Sequence, residues 1–85
     1  MIQTYAEFVR GLSKEERMLI TLRDELYVGS FERMVADLRD RLQSRPYNFK
    51  IVNTIEEDLI RIERIQGFEL KHRVNLSDLL RAASA

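Results

Sequence analysis

Three features of this 85-residue sequence predict an all-α domain: apolar residues recur at three- and four-residue spacing, the breaks carry helix-capping residues, and alternating strand patterns are almost absent. The expected architecture is a small antiparallel bundle of four helices with a short C-terminal helix, residues 1–85 forming a single domain.

The first segment, Ile2 to Leu12, places Ile2, Tyr5, Ala6, Val9 and Leu12 at helical spacing. "SKEE" follows. Ser13 can accept a hydrogen bond from the helix start, and Glu16, three residues on, can return one, the pattern of a capping box. The helix it opens carries Met18, Leu19, Leu22 and Leu26 as its expected core stripe, and Gly29 closes it. Ser30 caps the third helix, whose stripe is Phe31, Met34, Val35, Leu38 and Leu42.

"RPYNFK", Arg45 to Lys50, holds the only proline in the chain. Proline is tolerated at the first helical position and not deeper, so the fourth helix is expected to start at Pro46, with Tyr47, Ile51, Ile55, Leu59 and Ile62 inward. A competing start lies at Asn53 and Thr54, ahead of Glu56 and Glu57. Gly67 either ends this helix or is tolerated inside it; the helix formers of "FELKHR" beyond it favour helix to about His72. Asn75 or Ser77 then caps a short helix holding Leu76, Leu79 and Leu80.

Composition narrows the function classes. Fourteen basic residues balance fourteen acidic ones, which argues against a general polyanion binder. With no cysteine there are no disulfides, thiolate metal sites or cysteine nucleophiles, a composition that suits a cytoplasmic protein. No apolar run reaches the ~20 residues of a membrane span, and the N-terminus lacks the layout of a signal peptide. The serines read as caps, and Gly11, Gly29 and Gly67 are isolated rather than gathered into a phosphate loop, so no enzyme activity and no cofactor are expected.

Three constellations remain. Glu69 and His72 form E-x-x-H on one helix face, a spacing used in di-metal bundles, although this is the sole histidine. Residues 21–40 read as a degenerate helix-turn-helix around Gly29. Its reading helix and the end of that helix would offer Arg33, Arg39, Arg41 and Arg45 to a nucleic acid, interleaved with Glu32, Asp37 and Asp40. The third is a second apolar face, Ile20 and Tyr27 on helix two with Phe49 and Ile60 on helix four. It points to a homo-oligomer, most simply a dimer. The leading expectation is a non-catalytic, self-associating helical interaction module, an adaptor or small regulator. A nucleic-acid-binding regulator is the alternative.

Overall fold

The computed structural model describes residues 4–44 and 48–84. These form five helices and no strand among the described residues: α1 (Tyr5–Arg10), α2 (Lys14–Leu26), α3 (Phe31–Ser44), α4 (Phe49–His72) and α5 (Leu76–Ser84). The all-α class and the short C-terminal helix agree with the sequence pattern.

The starts of α2 and α3 follow the expected caps, whereas α1 starts at an unexpected cap, Thr4, and Ile2 lies outside the described residues. Thr4 Oγ1 accepts the Glu7 N–H and fixes the start of α1. The capping box at α2 is complete: Ser13 Oγ accepts the Glu16 N–H, and a Glu16 carboxylate oxygen accepts the Ser13 N–H at 2.9 Å. Ser30 Oγ accepts from the Arg33 N–H at the head of α3. Between α2 and α3 the backbone turns through the left-handed region at Val28 (φ 53°) and Gly29 (φ 74°). A β-branched residue in that region is strained, so the turn has a cost that Gly29 alone would avoid.

The fourth helix starts at neither expected position. Asn48 is its N-cap, with its side-chain oxygen accepting from Lys50 N at 2.9 Å, and helix begins at Phe49. Asn48 outcompetes Asn53 because a start at Asn53 would discard a turn of α4 that is otherwise hydrogen-bonded. Arg45, Pro46 and Tyr47 lie outside the described residues. The helix runs unbroken through Gly67 and closes with Arg73 in the left-handed conformation, the Val74 N–H returning to the Glu69 carbonyl.

With 24 residues, α4 is about 36 Å long and forms the spine of the fold. Helices α2 and α3 pack on it, and α5 contacts α1 and α2. Its inward stripe is Ile55, Ile62, Ile65 and Phe68, with Leu59 half-buried; Ile51, expected inward, is exposed. Phe8 of α1 stacks on Phe68 with ring centroids 3.7 Å apart. In α3 the expected stripe holds: Phe31, Met34 and Leu38 are buried, and Val35 and Leu42 pack against them.

The buried face of α2 is rotated relative to the sequence expectation, keeping only Leu19 of the expected stripe. Its buried residues are Glu16, Leu19, Ile20 and Arg23, while Met18, Leu22 and Leu26 are on the outside. The reason is a charged residue used as core. Arg23, 2 % exposed, donates from Nε to Asp24, from Nη1 to both Glu69 oxygens (2.8 and 3.0 Å) and from Nη2 to Ser77 Oγ (2.9 Å). Its guanidinium carbon lies 4.4 Å above the Phe31 ring. Glu69 in turn accepts the Leu76 N–H at 2.8 Å, where α5 begins, and Ser77 Oγ donates to Asp24. One side chain thus ties α2, α4 and α5, and no buried side-chain polar atom lacks a partner among the described residues. Glu16 is also buried and bonds to Arg64, whose guanidinium lies 4.7 Å from the Phe8 ring centroid.

Candidate functional site

Because Arg23 turns inward, an i, i+4 row that runs alongside the buried face of α2 is left uncovered. Lys14, Met18, Leu22 and Leu26 form that row, one residue per turn. Met18 is 54 % exposed, Leu22 36 % and Leu26 67 %. A single exposed apolar residue is ordinary on a protein surface, but a row of three on one helix presents a ridge. Beside the ridge runs a groove of about 510 Å³, lined by Leu12, Lys14, Arg17, Met18, Thr21 and Leu22. A second groove of about 340 Å³ lies where α2 meets α4; it shares Met18 and Leu22 with the first and reaches Thr54 and Asp58. The ridge therefore has a hollow on each side.

The charges around this ridge are ordered. Lys14 and Arg17 stand toward the start of α2 and Glu25 toward its end, all exposed, while Glu15, also exposed, lies on the side of the second groove. Arg17 reaches back to the Val9 carbonyl at the close of α1, a bond of 3.4 Å that holds its guanidinium beside the groove. The next row along the helix, Arg17, Thr21 and Glu25, is thus positive at one end, neutral in the middle and negative at the other.

The four residues expected to form an interface are not brought together. Ile20 is a core residue, 2 % exposed. Tyr27 is half-buried at the end of α2, where its hydroxyl donates to Asp37 of α3 at 2.6 Å. That hydrogen bond, with burial and the charge of the carboxylate, raises the phenol above its ordinary 10.0. Phe49 and Ile60 are exposed on α4, and Ile60 lines a cleft with Val35, Arg39 and Glu63. With Arg23 buried, Ile20 and Tyr27, on the same side of α2, turn inward with it.

The E-x-x-H pair is also separated. Glu69 points to Arg23 and the start of α5, whereas His72 lies against Phe68, 4.3 Å between ring centroids, and against Tyr5 at 5.5 Å. No group of three or more histidine, aspartate or glutamate side chains gathers as a metal site among the described residues.

On α3, Arg33, Arg39 and Arg41 are exposed, but Arg41 pairs with Asp37 at 3.1 Å and Glu32 and Asp40 share the solvent side. Arg45 lies outside the described residues. The outer surface of α3 is of mixed sign rather than a basic stripe.

No described helix is long and apolar enough to cross a membrane. Comparison of the chain with protein-family models, with curated proteins and with solved structures finds no match. The surface has to be read from its own chemistry. The signal that locates it was present in the sequence as the Met18–Leu22–Leu26 spacing, there assigned to the core.

Proposed function

We propose that this chain is a non-catalytic helical interaction module that associates with itself through the outer face of α2. The observation that carries the reading is the exposed Met18–Leu22–Leu26 ridge with a hollow on either side. Ridge and groove are the elements from which helix–helix contacts are made. A domain of 85 residues buries a modest fraction of its surface, so covering this ridge would add usefully to a small core. Balanced charge leaves no long-range repulsion between copies. The cysteine-free composition suits a reducing compartment such as the cytoplasm.

Sedimentation velocity tests the proposal. At about 100 µM, where an interface with a Kd near 10 µM is mostly paired, the chain should sediment at about twice its 10.1 kDa mass. The Met18→Glu/Leu22→Glu variant should keep its helical circular dichroism and sediment as a monomer. A wild type that is monomeric at that concentration would overturn the reading.

A further inference from the structure

We infer that two copies pair α2 against α2 in antiparallel fashion, across a two-fold axis passing beside Thr21, with Arg17 of each copy facing the partner's Glu25. The inference rests on the self-association proposed above and adds its orientation and register.

The argument starts from the arrangement of charge. A two-fold interface brings one patch against its own copy, so the patch must complement itself. Along the outer face of α2 the order is Arg17, Thr21, Glu25, one turn apart, with Thr21 midway. Parallel pairing in register would set Arg17 against Arg17 and Glu25 against Glu25. Antiparallel pairing centred on Thr21 sets each arginine against a carboxylate, twice by symmetry. Lys14, beyond Arg17, is balanced by its exposed neighbour Glu15, so Arg17 alone carries the charge pairing.

Shape points to the same register. With Thr21 at the axis, the partner's Met18 stands about 3 Å along the helix from Leu22, so the two side chains pass beside one another near the middle of the contact. The partner's Leu26 stands five residues from the axis, about 7.5 Å along the helix. That places it at the level of residues 16 and 17, over the groove floored by Leu12 and walled by Lys14, Arg17 and Met18. Leu26 is the most exposed member of the ridge, and the groove is apolar at its floor. The antiparallel arrangement therefore gives the most exposed side chain a hollow to occupy, at both ends.

The absence of cysteine makes the test direct. Thr21→Cys introduces a single thiol next to the axis. Its copy should lie near the Cα separation of about 4.4–6.8 Å that a disulfide accepts, and mild oxidation should give a covalent dimer. Glu25→Cys alone should not cross-link, because the two positions would be about 12 Å apart along the axis. An equal mixture of Arg17→Cys and Glu25→Cys chains should give the mixed dimer. In a second arm, Arg17→Glu and Glu25→Arg should each weaken association about tenfold, and combining them in one chain should restore it to within about threefold of wild type. All these positions are exposed, and circular dichroism melts verify folding of each variant. A dimeric wild type in which Thr21→Cys does not cross-link and the charge swap does not rescue would overturn this geometry while leaving self-association standing. A monomeric wild type would overturn both. A ridge that binds an amphipathic helical peptide but not its own copy would overturn both as well.

Discussion

Arg23 and Glu69, 46 residues apart in the chain, meet through two hydrogen bonds from one guanidinium nitrogen, at 2.8 and 3.0 Å. The pair is largely buried and each partner has further bonds, Arg23 to Asp24 and Ser77 and Glu69 to the Leu76 N–H. Removing one member strands the other in a medium that cannot solvate it. Arg23→Met should therefore cost about 3–5 kcal/mol, and replacing both by Arg23→Met/Glu69→Leu should recover a large part of that loss. Urea denaturation of the two single variants and the double decides. An Arg23→Met loss below about 1 kcal/mol would show that the network is not holding the three helices together.

Acid stability should depend on Glu16. Burial pushes its carboxyl pKa up, but the Ser13 N–H, the Arg64 guanidinium and the Ser13 hydroxyl together outweigh burial, and the net value lies below the ordinary 4.5. A lowered folded-state pKa means that folding favours the ionised form. The resulting stability is fully present above the unfolded-state value and is lost as pH falls through the folded-state value. Glu16→Gln should destabilise the protein at neutral pH and flatten its acid-side loss below about pH 4.5. Thermal melts of both proteins across pH 2 to 7, roughly the range in which carboxylates titrate, provide the check. Parallel acid profiles would contradict the assignment.

Two changes in α4 should act in opposite directions. A Cβ at Gly67 meets nothing within 4 Å, so Gly67→Ala should stabilise by about 0.5–1 kcal/mol through helix propensity. Asn48→Ala removes the side chain that receives the Lys50 N–H and should cost about 1 kcal/mol. Melting temperatures measured side by side should move up for the first and down for the second.

Core position separates two isoleucines of the same helix. Ile62 is 1 % exposed and Ile51 54 %. Ile62→Ala should cost about 2–5 kcal/mol, as Leu38→Ala should in α3. Ile51→Ala should fall within about 0.5 kcal/mol of wild type. Comparable losses at Ile51 and Ile62 in chemical denaturation would mean that Ile51 is covered in solution.

These residues also show where sequence legibility stops. The capping box at Ser13 and Glu16, the glycine turn at Gly29 and the narrow stripe of α3 depend on contacts within a few residues, and all three were readable. The α1 stripe was readable only in part: Val9 and Leu12 are buried, but so is Phe8, which was not expected, while Tyr5 and Ala6 stay outside. For α2, local pattern was misleading. Either face carries enough large apolar residues to serve as core, and the choice falls to the face with Arg23, whose partners lie in α4 and α5. No periodicity rule can rank a buried arginine above a leucine without knowing that Glu69 and Ser77 will be there. On α2 the two apolar sides were recognised, but Ile20 and Tyr27 turn inward; on α4, Phe49 and Ile60 are exposed as the pattern expected.

The network around Arg23 also bears on time as well as on stability. Its partners lie 46 and 54 residues away, so until α4 and α5 dock, Arg23 has only its neighbour Asp24 to pair with. Desolvating the guanidinium before then would leave it unpaired, and its bonds should form after the main barrier to folding has been crossed. Interactions absent from the transition state act on the rate of escape from the native state rather than on the rate of reaching it. Stopped-flow kinetics on Arg23→Met should show unfolding accelerated by orders of magnitude and refolding nearly unchanged. The arginine would then act as a latch, setting how long each molecule stays folded once it has closed.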